Sequence, residues 1–136
     1  MPVAQRLARL DQLIAGAPDA GMVVVSEAGT GRFATAISVG GRHALRADEP
    51  LADGGTDTGP TPYDLLLAAL GACKTMTMRR YADKKGLPLD NVAVTLRHSK
   101  VHAVDCVDCE SESAKLDRID VDVDISGDLD ADARTR

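Results

Sequence analysis

Residues 61–86, TPYDLLLAALGACKTMTMRRYADKKG, hold an apolar run with start and stop signals at its two ends. Thr61 is suited to an N-cap, Pro62 sits at N1 where a missing N–H costs nothing, and Asp64 completes a capping-box pattern. Gly86 stands where a C′ glycine belongs, with Lys84 and Lys85 in the last turn and Pro88 just beyond. The signals enclose about 24 helical residues, roughly 36 Å at 1.5 Å per residue. From Leu65 to Cys73 the helix is apolar on all sides, so burial on all sides is expected, beneath a sheet or a partner subunit. Its one sulfur nucleophile, Cys73, shares a helical stripe with Leu66, Ala69, Leu70, Met76, Thr77 and Arg80. An arginine near the thiol favours the thiolate, but free cysteine is also among the most buried residue types. On the residues alone, a nucleophile and a packed small side chain balance.

Outward from the helix, the pattern alternates between strand and turn. In residues 22–50, MVVVSEAGTGRFATAISVGGRHALRADEP, Val23 and Val25 alternate with polar neighbours, and Phe33, Thr35, Ile37 and Val39 resume the alternation after AGTG. Gly40-Gly41 is a two-residue hairpin turn of the kind that needs positive φ. LADGGTDTGP, residues 51–60, is a loop by composition. NVAVTLRHSKV, residues 91–101, reads as a strand with Val92, Val94 and Leu96 on one face. IDVDVDI, residues 119–125, is another, with Ile119, Val121, Val123 and Ile125 inward and three aspartates outward. Asp128, Asp130 and Asp132 resemble the acidic first turn of a further helix, for which Arg136 leaves no room. At the other end, residues 3–15 have the spacing of a short amphipathic helix, ended by Gly16 and Pro18, with a linker to residue 20.

Bulk properties exclude several classes of function. A chain of 136 residues fits a single domain, 1–136, and with no Trp, one Phe and two Tyr its core must be aliphatic. A net charge of −5 and the lack of stacking aromatics argue against nucleic acid. No stretch approaches the roughly 20 apolar residues of a membrane span. The N-terminus lacks the apolar block of a signal peptide, so a cytoplasmic location with reduced thiols is expected.

Residues 98–109, HSKVHAVDCVDC, form a second candidate site. His98, His102, Cys106 and Cys109 make H-x3-H-x3-C-x2-C, four ligands suited to zinc. A dithiol redox pair is a second reading. Asp105 and Asp108 oppose it, because neighbouring carboxylates raise thiol pKa values in the absence of metal. Period-2 counting puts both histidines on the face of Val92, Val94 and Leu96, so two satisfied histidines at the inner end of a strand weigh about equally with a metal site. The D-x-D-x-D run at 120–124 lacks the glycine of a calcium loop, Ile125 standing in its place, and reads as a solvated face. The glycine pairs match neither dinucleotide nor P-loop spacing.

With both stretches read, TPYDLLLAALGACKTMTMRRYADKKGLPL resembles the signature helix of the osmotically-inducible-protein-C and organic-hydroperoxide-resistance (OsmC/Ohr) superfamily. Pro62, Leu65, Ala72 and Cys73 fall in register with that helix, and HSKVHAVDCVDCE is similar to one OsmC-like branch. The resemblance covers about residues 21–132. It implies an α+β OsmC-like fold, with antiparallel sheets around a long central helix in an intertwined homodimer. It also implies a thiol-dependent hydroperoxide reductase of oxidative-stress defence, in which Cys73 attacks the peroxide and a dithiol reductant regenerates it. That mechanism requires no cofactor, whereas the alternative, a non-catalytic OsmC-like protein, would hold zinc at His98, His102, Cys106 and Cys109. The activating arginine of the family comes from the first strands, where Arg32 lies. Two positions depart from the pattern. Tyr63 replaces a glutamate that orients that arginine, and the family's second cysteine belongs to a later helix, so a C-terminally truncated chain is expected.

Overall fold

A computed structural model describes residues 21–102 and 115–135. The expected N-terminal helix and the pair Cys106 and Cys109 lie outside the described residues. The chain divides into two compact units, residues 1–65 and 66–136.

The first unit contains a three-stranded antiparallel sheet, β1 (Val23–Glu27), β2 (Thr35–Val39) and β3 (His43–Ala47), in the order β1-β2-β3. Val25, Ile37 and Leu45 stand opposite one another across the three strands, which places the alternating apolar positions on one face. Gly40 and Gly41 both take positive φ, 57° and 64°, and Arg42 N–H closes the turn on Val39 O at 3.1 Å. The two-residue turn is therefore formed as the glycines require.

After β3 the chain enters the loop expected from its composition, interrupted by one 3-10 turn at Leu51–Asp53. Asp48, only 2% exposed, organises it. Its Oδ2 accepts from the backbone N–H and the hydroxyl of both Thr56 (3.2 and 2.6 Å) and Thr58 (3.1 and 2.9 Å). Its Oδ1 accepts from Glu49 N–H at 2.8 Å, and its own N–H donates to Pro60 O at 3.1 Å. Hydrogen bonds to the ionised form, led by the Thr56 hydroxyl, outweigh desolvation and hold this carboxyl far below the usual carboxylate range.

The 24-residue helix α1, Pro62–Lys85, follows, and the boundary between the units falls in its first turn. The capping box is present: Asp64 N–H donates to Thr61 Oγ1 at 3.2 Å, and Asp64 Oδ2 accepts from Thr61 N–H at 2.9 Å. The Thr61 N–H and the Thr61 hydroxyl, which also donates to Oδ2 at 2.8 Å, lower the Asp64 pKa. At the other end Leu87 N–H bonds Ala82 O (2.9 Å) and Gly86 N–H bonds Asp83 O (3.2 Å), with Gly86 at φ 63°. This is a Schellman motif, and it needs the glycine.

The second unit pairs β4 (Leu89–His102) with β5 (Lys115–Gly127) as a long antiparallel ribbon. Val94 faces Val123 and Leu96 faces Val121, so the expected apolar face is in register. Both strands are longer than their alternating cores suggested. A short helix α2, Ala131–Thr135, also forms, its first turn capped by Asp130 Oδ1, which accepts from Ala133 N–H at 2.7 Å. The expectation that no helix has room there is corrected: one capped turn is enough to start it.

Of the burial expected around α1, beneath a sheet or a partner subunit, this chain's own ribbon supplies one side. Leu67, Leu70, Gly71, Lys74, Thr75, Met78 and Ala82 are covered wholly or in part, a stripe at spacings of three and four. On the opposite side Leu66 is 54% and Met76 67% exposed. A two-stranded ribbon has one inner face and can cover only one side of a helix.

Contact between helix and ribbon is close at Gly71, where a Cβ would meet Leu96 Cδ1 at 2.9 Å. Arg79 ties the far end, donating to Leu89 O (2.5 Å) and Asp90 O (3.0 Å). Two stability experiments follow. Gly71→Ala should change unfolding free energy by less than about 1 kcal/mol, because a gain in helix propensity of similar size offsets displacement of one flexible methyl. Gly71→Leu should lose about 1–3 kcal/mol or more by overpacking, and urea denaturation distinguishes the two. For Asp48, folding depresses the pKa, so its contribution is complete above the unfolded value near 4 and is lost as pH falls toward the folded one. Asp48→Asn should therefore melt at a lower temperature than wild type at neutral pH, with a smaller difference in acid, as measured by thermal unfolding across pH.

Candidate functional site

Cys73 occupies the middle of α1, two residues after the close contact at Gly71, and its side is the uncovered one. The stripe predicted to accompany it, from Leu66 and Ala69 to Met76 and Arg80, is exposed along its length, apart from half-buried Leu70. Of the two balanced readings, a small side chain packed inside the chain's own core does not fit an exposed thiol. Accessibility is the first thing a nucleophilic thiol needs.

Cationic groups around the helix divide by what they already do. Arg79 is occupied by the carbonyls of Leu89 and Asp90. Arg80 is exposed on the Cys73 side of α1, two turns further on. Arg32 belongs to the first unit, where its guanidinium lies over the Phe33 ring, 5.2 Å from the centroid. Tyr63, at the position where the resemblance leads one to expect a glutamate, is 40% exposed in the first turn, and the neighbouring carboxylate, Asp64, is engaged in the capping box.

His98 lies on β4, half-buried in step with Val92, Val94 and Leu96. Its Nε2 lies 2.6 Å from Asp117 Oδ1 on β5. Asp117 is a partner that local spacing did not reveal, because only the β4–β5 register brings residues 19 apart together. His102 falls in β4 opposite Lys115, and Cys106 and Cys109 lie outside the described residues. Among the described residues no group of three or more His, Cys, Asp or Glu is arranged to hold a metal. Along β4, Leu96 meets the helix at Gly71 and His102 comes six residues later, about 20 Å further at 3.3 Å per residue.

The aspartates of β5 behave as a solvated face, as expected. Asp122 pairs with Arg97 at 2.6 Å and Asp120 with Arg118 at 2.7 Å, all largely exposed but for half-buried Asp120. No described helix is long and apolar enough to cross a membrane.

Comparison with known proteins agrees with this architecture. No curated protein matches the sequence. Among solved structures, an organic hydroperoxide resistance protein OsmC from Legionella pneumophila superimposes with a TM-score of 0.57 at 18% identity, over 84% of this chain and 77% of that one. A protein from Psychrobacter arcticus, named for osmotic stress induction and a detoxification response, gives a TM-score of 0.59 at 18% identity, over 85% and 78%. At such identity these likenesses speak for the α+β fold with its antiparallel sheets and long helix. The profile of the OsmC-like protein family matches residues 55–136, more than half of the chain, from the loop before α1 through both strands of the ribbon. The chain is a member of the OsmC-like protein family.

Proposed function

We propose that the protein is a thiol-dependent hydroperoxide reductase in which Cys73 is the attacking thiol. The observation that carries the reading is the exposure of Cys73 at the centre of an uncovered apolar stripe on the family's helix. A thiolate in that position attacks the distal oxygen of a hydroperoxide. The O–O bond breaks, the alcohol leaves after taking a proton, and the sulfur becomes sulfenic acid. A second thiol then condenses with the sulfenic acid, releasing water and forming a disulfide, which a dithiol reductant reduces by exchange. Arg80, on the same side of α1, or Arg32 supplies positive charge to favour the thiolate. Cys106 and Cys109 are the chain's candidates for the second thiol.

The same stripe supports a homodimer. Leu66 and Met76 are large apolar side chains that a monomer leaves in water, and covering them with a second copy recovers roughly 1.5–3 kcal/mol for each fully buried side chain. That cover would surround the thiol with apolar walls and exclude water from the sulfenic acid. The chemistry needs reduced thiols, which suits the cytoplasm.

A zinc-binding, non-catalytic protein is the second reading, favoured by one contact. Asp117 on one ring nitrogen of His98 is the arrangement by which a carboxylate orients a metal-ligating imidazole. His102, Cys106 and Cys109 would complete the ligand set.

Two measurements separate the readings. Consumption of cumene hydroperoxide with dithiothreitol should fall at least about 100-fold on Cys73→Ser, in line with loss of an activated nucleophile; equal rates would remove Cys73 from the mechanism. Elemental analysis of protein purified without added metal should find less than stoichiometric zinc if the first reading holds. One zinc per chain, lost on Cys106→Ser, would establish the second.

A further inference from the structure

The second unit contains an apolar cavity of about 270 Å³ between the C-terminal half of α1, the end of β5 and α2. Ala82, 3% exposed, forms its floor, and Met78, Leu89, Ile125 and Leu129 form its walls. Its volume is just below the usual range of small-molecule sites, and its apolar lining with few polar groups has their general character. The polar side chains among its described lining are the hydroxyls of Thr77 and Tyr81 and the guanidinium of Arg134.

All three are hydrogen-bond donors, one is cationic, and no described carboxylate lines the cavity. The nearest described acids stand outside this lining: Asp130, the N-cap of α2, and Asp132 line an adjoining depression of about 150 Å³ that shares Tyr81, Leu87 and Ala133 with the cavity and also holds Lys85. Arg134 is tethered by its Nε, which donates to Leu129 O at 3.3 Å, so its side chain is held against a residue of the cavity wall.

We propose that this cavity binds a small apolar monocarboxylate, its body against Met78, Leu89 and Ile125 and its carboxylate on Arg134. A neutral molecule of the same shape would bury the same apolar surface and forgo the charge-assisted bond. An amine would place its positive charge beside the guanidinium. In a protein of net charge −5, a cavity whose only described lining charge is positive selects an anion by local placement. This site takes no part in the chemistry proposed for Cys73 and does not depend on it.

The test titrates the protein with hexanoate, hexanol and hexylamine, followed by calorimetry and by backbone amide shifts. Hexanoate should bind saturably and at least about tenfold more tightly than hexanol, the advantage expected of a charge-assisted bond. Arg134→Gln should abolish that advantage, and Ala82→Met, which fills the floor, should abolish binding. Arg134 is exposed, so its replacement reports on the site even where Ala82→Met fails to fold. Equal affinity for hexanol or hexylamine, no saturable hexanoate binding, or unchanged hexanoate affinity in Arg134→Gln would overturn the proposal.

Discussion

Helix α1 is apolar around its first half, while the ribbon that supports it has a single inner face. From this mismatch comes the character of the second unit. The side holding Gly71, Met78 and Ala82 is covered, and at Gly71 the absence of a Cβ lets Leu96 approach the helix backbone. The side holding Leu66, Cys73 and Met76 receives no such cover. Had the ribbon contacted the other side, the only cysteine of the helix would have been another small buried residue. The chemistry open to Cys73 is thus set by which stripe of α1 the ribbon occupies.

The parts of this arrangement that depend on neighbours in sequence were legible from the residues. Thr61, Pro62 and Asp64 mark the helix start because capping is a matter of three or four consecutive positions, and Gly86 marks its end for the same reason. Gly40-Gly41 likewise announces its turn. Properties that depend on distant partners were not legible. Nothing near His98 points to Asp117, which arrives through strand register alone. The role of Asp48 was hidden in the same way: Thr56 and Thr58 are ordinary loop residues until the loop folds back around one carboxylate. One-sided burial of α1 belongs to this second group, since an apolar helix surface records the need for cover and not what supplies it.

Carboxylates serve three separate purposes in the chain, set by their surroundings more than by residue type. Asp48 is buried and saturated with donors, and it fixes the loop leading into α1. Asp64 and Asp130 lie at helix starts, where backbone N–H groups need acceptors and a negative charge suits the helix dipole. Asp120 and Asp122 stay in solvent and pair with arginines in contacts worth little to stability individually.

Those weak outer pairs matter for a different reason. Strands β4 and β5 form a two-stranded sheet of 14 and 13 residues, so each has a long edge that no described strand covers. Such edges are templates for pairing with other chains, and proteins commonly guard them with charge. Asp120, Asp122 and Asp124 alternate along β5, with Arg118 before them and Arg97 across on β4, so a second copy of β5 approaching in register would bring carboxylates together at every second residue. A stripe of alternating carboxylates of this kind disfavours edge-to-edge pairing of the ribbon.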